Sequence, residues 1–246
     1  MEHDRIAVID FGGQYAHLIA TKVRRLSVLA EIRQPDDPID AFSGMKGIII
    51  SGSPSLSAFG EDSAYQKGIF DLDVPILGFC FGHQEIAKHY GGRVEHLRTE
   101  FGFARLSVVR ESPLFDGLPA EQTVWMSHYD TVTALPDGFE ETGISRVEGE
   151  DGIHRNAAIE DRRRRRFGFQ FHPEVDDTEH GEAMIRNFVV GVCRCRQTWT
   201  MDRYIDETVD RVRAAVGEGG VFLLASGGVD STVCAVLLGK ALPASR

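Results

Sequence analysis

The chain has 246 residues, 42% of them apolar and 9% aromatic, which suits one large domain or one domain plus a fragment at roughly 100–200 residues per domain. Charged residues make up 26%, and 37 Asp and Glu outweigh 27 Lys and Arg for a net charge of −10; whole-chain disorder is excluded, and a general affinity for nucleic acid or acidic membranes is disfavoured. No apolar run nears the ~18 residues of a membrane span, MEHDRIAVIDF lacks signal-peptide architecture, and four cysteines make no disulfide framework. A cytoplasmic protein with no membrane or nucleic-acid partner is expected.

In chain order, Arg5–Ile9 reads as a strand, ended by Asp10 and the Gly12-Gly13 pair, and Tyr15 to Leu26 carry apolar residues at helical spacing. Val28–Ile32, Gly47–Ile50 and Pro75–Phe79 are further strands, and the wholly apolar run Gly47–Ile50 predicts a strand buried on both faces, as in a parallel sheet covered by helices. His83–Tyr90 reads as a helix. Beyond it Phe103–Val109, Thr123–Met126, Asp130–Ala134, Asn156–Glu160 and Phe167–Phe171 are strand-like with little helix between them, and Thr178–Cys193 is helical. The expected fold is α/β, a mostly parallel sheet flanked by helices, with an antiparallel flank. Trp199–Val216 predicts a helix N-capped by Thr200, and Val221–Ala225 a buried strand, followed by a turn and a helix from Val233 to Leu238. This divides the chain into a domain over 1–196, a linker helix over 197–217, and the truncated start of a second domain over 218–246.

Three features carry chemistry. Gly78-Phe79-Cys80-Phe81-Gly82 follows an apolar strand and opens a helix, the layout of a nucleophile elbow with cysteine as the nucleophile. The glycines make room for a tight strand-to-helix turn, and the sulfur comes to lie at a helix N-terminus, which favours thiolate. His172, at the end of an alternating strand and followed by Pro173 and Glu174, supplies a base and its orienting carboxylate. Ser51-Gly52-Ser53-Pro54, after the Gly47–Ile50 strand, can aim a backbone amide at an oxyanion, with the Phe81 N–H as second donor. Gln84, one helical turn past Cys80, points toward the same cleft.

GFCFGHQ, SGSPS, FGFQFHPE and the opening VIDFGGQY, with EFGFA at Glu100–Ala104, VWMSHYD at Val124–Asp130 and SGGVDS at 226–231, together resemble the class I, triad-type glutamine amidotransferases of flavodoxin-like fold, in particular those joined to an ATP pyrophosphatase domain. The resemblance implies that Cys80, His172 and Glu174 hydrolyse glutamine to glutamate and ammonia without a cofactor. Gly52, Ser53, Phe81, Gln84, His128 and Tyr129 would form the oxyanion hole and glutamine pocket. The ammonia would aminate xanthosine monophosphate to GMP in a synthetase domain, in the same chain or another, that uses ATP and Mg2+. Ser226, Gly227, Gly228, Val229, Asp230 and Ser231 would then be the pyrophosphate-binding loop, where glycine amides, hydroxyls and a helix N-terminus form an anion nest.

Two departures from the family bear on activity. Ser53 replaces the second glycine of the usual Gly-Gly-Pro, and strain there would weaken the oxyanion hole. Tyr129 replaces a glycine and would narrow the pocket. A catalytically weak binding or regulatory module is therefore the competing expectation, and another cysteine hydrolase on the same scaffold explains SGGVDS poorly. Arg162–Arg166, between two strand-like segments, is expected as a solvated hairpin tip. Cys193 and Cys195 lack the partners of a zinc site, and no histidine shows metal-ligand spacing.

Overall fold

The computed structural model describes residues 3–12, 15–60, 65–147 and 152–243. Gly13 and Gln14 of the opening motif lie outside the described residues. The chain divides into two compact units, Met1–Thr198 and Trp199–Arg246.

The first unit is built on one nine-stranded sheet. Its parallel half comprises β1 (Arg5–Ile9), β2 (Leu29–Arg33), β3 (Gly47–Ile50) and β4 (Ile76–Phe79), together with β9 (Arg166–Phe169); its antiparallel half comprises β5 (Arg93–Val108), β6 (Glu121–Ala134), β7 (Glu140–Val147) and β8 (His154–Asp161). The strand order is β2-β1-β3-β4-β9-β8-β7-β5-β6. Strand alternation sends Ile6, Val8, Ile49 and Leu77 into one core layer and Ala7, Ile9, Ile48, Ile50 and Ile76 into the other. Helix α1 (Tyr15–Arg25) supplies Ile19, Ala20 and Val23 to the first layer, and α2 (Phe81–His89) supplies Phe81 and Ile86 to the second. Burial on both faces is why β1, β3 and β4 read as continuous apolar runs.

The antiparallel half departs from expectation in three places. Thr123–Met126 and Asp130–Ala134 are one strand, β6, and its partner β5 begins ten residues before the expected Phe103. Strand β7 was not expected at all. Its register breaks on either side of Gly143, where a Cβ would meet Ala158 Cβ at 3.0 Å, so no clean period of two is present to read. The helix expected over Thr178–Cys193 is α3 (Gly181–Arg186) running into a π-helical turn, Asn187–Val192. It starts late because the Thr178 hydroxyl donates to His172 O (2.6 Å) and accepts from Trp125 N (3.0 Å), holding the preceding turn against the sheet.

Arg162–Arg165 form the turn between β8 and β9, as expected. Arg166 is not solvated: it is buried, donating from Nη2 to Phe70 O (2.8 Å) and Leu72 O (3.0 Å), from Nη1 to Val74 O (2.7 Å), and from Nε to Tyr90 Oη (2.8 Å). The fifth arginine thus satisfies carbonyls of the segment that leads into β4, and Arg162, Arg164 and Arg165 pair with Glu160, Asp161 and Asp73.

The second unit contains α4 (Met201–Val216) and α5 (Val229–Ala241). Thr200 caps α4, its Oγ1 accepting from Arg203 N at 3.3 Å. The expected buried strand at Val221–Ala225 does not form, and Phe222 and Leu224 stand 88% and 82% exposed. A lone apolar segment needs neighbouring strands to satisfy its backbone, and none is paired to it among the described residues. Among the described residues no helix is long and apolar enough to cross a membrane.

Candidate active site

The carboxyl ends of β1, β3, β4 and β9 open on one edge of the sheet, and the three sequence features meet there. Phe79 of β4 pairs with Phe169 of β9, so the elbow starts one residue past that pair and His172 lies three residues past it on the neighbouring strand. Cys80 N donates to Phe169 O at 2.8 Å, tying the elbow's backbone to the strand that leads to His172. Cys80 has φ 50° and ψ −105°, a positive φ that costs a non-glycine residue of the order of 1–3 kcal/mol and recurs at functional turns. A Cβ at Gly78 would lie 2.3 Å from Gly82 O, and one at Gly82 would lie 2.5 Å from Ile50 O, so both glycines are demanded by close approach.

The Cys80 thiol donates to Ser127 O at 3.5 Å and stands beside the His172 imidazole, whose Nδ1 sits 2.8 Å from Glu174 Oε1. All three side chains are buried. Burial alone pushes His172 down, but the charge of Glu174 and the hydrogen bonds to Cys80 and Glu174 overcome it and hold the imidazole protonated well above its ordinary range. Cys193 and Cys195, by contrast, are held as neutral thiols: burial pushes the first well up and the second to about 12.

These groups open into a cavity of about 700 Å³, lined among others by Ser53, Phe81, Gln84, His128, Tyr129 and Asp130. Gly52 packs against the Cys80 and His172 side chains, since a Cβ there would be 3.0 Å from His172 Cε1 and 3.5 Å from Cys80 Cβ. Ser53 is not among the residues with positive φ. Its hydroxyl donates to Phe11 O (3.1 Å) and accepts from Leu56 N (3.1 Å), so the serine is built into the turn without backbone strain. Gln84 lines the cavity, but its amide nitrogen is engaged by Asp130 O (2.6 Å) and Gln170 Oε1 (3.2 Å). Tyr129 stands at the rim, 57% exposed, edge-on to Phe101 at 5.3 Å. His128 is buried between Asp130 O (3.0 Å from Nδ1) and Glu100 Oε2 (3.1 Å from Nε2).

Asp130 is a cavity residue that motif reading passed over. Its carboxylate accepts from the Ser57 hydroxyl (2.5 Å) and faces His96 Nδ1 (3.2 Å), and its carbonyl holds Gln84. The available signal was its place at the end of VWMSHYD, where the segment enters the next expected strand. The SGGVDS loop, in the second unit, has Gly227 at φ +81° and Gly228 at the start of α5, with Ser226 Oγ 3.3 Å from Ser231 Oγ. Among the described residues no group of three or more His, Cys, Asp or Glu side chains is arranged to hold a metal ion.

His83, on α2 behind the elbow, packs on Gly168 and is fully buried, and burial together with the charge of His128 pushes it down to about 3. A folded state that refuses a proton the unfolded chain accepts near 6.5 loses stability as pH falls from about 6.5 toward 3, by about 1.4 kcal/mol per pH unit at most. Urea unfolding of the native chain and of His83→Asn at pH 7 and pH 5 is expected to show the native chain losing about 2 kcal/mol more than the variant; equal losses would contradict the assignment.

A family model described as glutamine amidotransferase class-I matches residues 7–192. The chain is 42% identical over 245 residues to the glutamine-hydrolyzing GMP synthase of Bacillus cytotoxicus, covering 98% of this chain and 46% of that protein. Its identity to the enzyme of that name from Staphylococcus aureus is 44% over 245 residues, with the same coverage. The chain thus spans about half the length of the curated relatives it matches. Among solved structures, a protein from Thermoplasma acidophilum assigned as a GMP synthase subunit aligns with a TM-score of 0.68 at 30% identity, covering 84% of this chain and 99% of that one. A glutamine amidotransferase from Thermotoga maritima, at 19% identity and a TM-score of 0.57 over 98% of this chain and 97% of that one, shares the fold. Since the family model spans most of the first unit and well over half of the whole, the chain belongs to the class I glutamine amidotransferase family.

Proposed function

We propose that the chain hydrolyses glutamine at Cys80 and supplies the ammonia for amination of xanthosine monophosphate to GMP. The observation that carries the reading is that Cys80 and His172 line one cavity, with the His172 imidazole bonded to Glu174 at 2.8 Å and raised by the neighbouring Cys80 side chain. Beside a His172 imidazole already held protonated, the Cys80 sulfur attacks the side-chain carboxamide carbon of glutamine. Backbone amides of the Gly52-Ser53 turn and of Phe81 take the developing oxyanion. His172 gives its proton to the leaving nitrogen, the C–N bond breaks, and ammonia departs from a γ-glutamyl thioester. Water, deprotonated by His172, then attacks the thioester carbon, releasing glutamate and restoring the thiol.

The product's destination rests on the curated relatives, each a GMP synthase by name. Its acceptor would be an ATP pyrophosphatase domain that adenylates the nucleotide with ATP and Mg2+. The 226–231 loop suits a pyrophosphate, since Gly227 adopts a conformation that opens backbone amides and the Ser226 and Ser231 hydroxyls face each other. The weaker, regulatory reading loses its main support because Ser53 sits in relaxed backbone.

Alkylation tests the site directly. Timed iodoacetamide labelling with peptide mapping is expected to modify Cys80 at least tenfold faster than Cys193 and Cys195, because a protonated imidazole adjoins only Cys80 while burial holds the other two as neutral thiols. Glutamine is expected to slow the labelling of Cys80 alone. Uniform reactivity, or indifference of Cys80 to glutamine, would overturn the proposal.

A further inference from the structure

A second buried polar cluster, Glu100, His128 and His154, backs the cavity wall at Ser127–Asp130, and no step of the hydrolysis uses it. Strands β5 and β6 pair in regular register until a break, where His96 lies opposite Asp130 and the next matched pair is Glu100 with His128. Three residues of β5 thus oppose Tyr129 alone, and the ladder is interrupted at the point where β6 forms the cavity wall. Side chains replace the missing ladder. Glu100, 2% exposed, lies 3.1 Å from His128 Nε2 through one carboxylate oxygen and pairs with His154 Nε2 of β8 through the other. On its far side His128 meets Asp130 O, which also receives the Gln84 amide.

From this arrangement we infer that Glu100 is a positioning residue for glutamine binding: acting through His128, it fixes the Ser127–Asp130 wall at the distance from Cys80 that the substrate requires. The inference rests on the glutaminase reading. The wall reaches the nucleophile, since Ser127 O lies 3.5 Å from Cys80 Sγ, and it carries the Asp130 carboxylate into the cavity. A carboxylate is suited to this anchoring. Burial pushes Glu100 up, but the hydrogen bonds and charges of His128 and His154 outweigh it and bring it to about 2, so the group stays anionic between two imidazoles. Around metal sites, residues that orient a ligand without touching the metal typically cost about 10–100-fold in affinity when changed, and an effect of that order is expected here. None of these groups adjoins the His172–Glu174 pair, so the effect belongs to binding and not to proton transfer.

The test is Glu100→Gln, which keeps size and an acceptor oxygen but removes the charge. Glutamate release is expected to show a KM for glutamine raised at least tenfold with kcat within about threefold, and the glutamine concentration that half-protects Cys80 from iodoacetamide is expected to rise by the same factor. The rate of unprotected Cys80 labelling, set by the elbow and His172, neither of which touches Glu100, is expected to stay within twofold. A folded Glu100→Gln protein with native KM and native half-protection would overturn the inference. So would a variant whose kcat falls while KM holds. If Glu100→Gln does not fold, the same measurements on His154→Gln decide, a KM raised at least threefold supporting the inference and an unchanged KM overturning it. Failure of the glutaminase reading itself is distinguishable, because the native chain would then show neither glutamate release nor glutamine protection of Cys80.

Discussion

Cys80→Ala is expected to lower glutamate release from glutamine by about 10,000-fold or more, the scale on which nucleophile removal acts in triad enzymes. The expectation rests on the reaction having no other path to the thioester: sulfur is the atom that bonds to the carboxamide carbon, and no other nucleophilic side chain described in the cavity has both a base in contact and amides placed for the oxyanion. Alanine tolerates the elbow's positive φ no worse than cysteine does, so the variant is expected to keep the fold. A coupled glutamate assay on purified native and variant chains at saturating glutamine measures the ratio, and circular dichroism with a thermal melt checks that the variant is folded. Residual activity above one-hundredth of the native rate would contradict the nucleophile assignment.

The second large effect is expected for Glu174→Gln, a loss of about 1,000–10,000-fold in kcat, comparable with neutralising the orienting carboxylate of other triads. Glu174 has two jobs: its Oε1 fixes the Nδ1 side of His172, and its charge holds the buried imidazole protonated. With the charge removed, burial dominates and the folded-state value of His172 falls below 6.5. The imidazole is then neutral at neutral pH and cannot protonate the departing nitrogen. The sign is testable. Native His172 has its folded value raised, so its charge persists through neutrality and its contribution to stability, full below about 6.5, is lost only as pH rises through the folded value. In Glu174→Gln, residual activity is expected to rise as pH is lowered from 7.5 toward 6, while the native rate stays nearly flat there. A variant whose profile parallels the native one would contradict this role for the carboxylate.

The parallel half of the sheet and the elbow are legible in the sequence because their signals are local. Strands buried on both faces, such as Ile48–Ile50 and Ile76–Phe79, show as unbroken apolar runs, and the elbow shows as glycines whose need is steric. That His172 should reach Cys80 depends on the pairing of Phe79 with Phe169, a long-range register that the motifs suggest only jointly. The antiparallel half is less legible. Strand β7 hides behind two register breaks around Gly143, and Arg166 looks like the rest of its arginine run although carbonyls brought in from Phe70, Leu72 and Val74 bury it. Glu100 and His128 each fall in a motif, but their meeting with His154 is invisible locally, since the three lie on three strands and come together only through the sheet. Val221–Ala225 shows the converse: an apolar run of strand-forming residues that stays unpaired among the described residues. Propensity specifies a strand only where a neighbour is available to complete its hydrogen bonds.

The most direct test of the central claim is mass spectrometry of the chain acid-quenched during turnover of glutamine, followed by peptide mapping. A γ-glutamyl group bound through sulfur to the peptide containing Cys80, absent when glutamine is withheld, is the expected result. Glutamate formed with no acyl group on Cys80, or with the acyl group on Cys193, Cys195 or Cys234 instead, would contradict it.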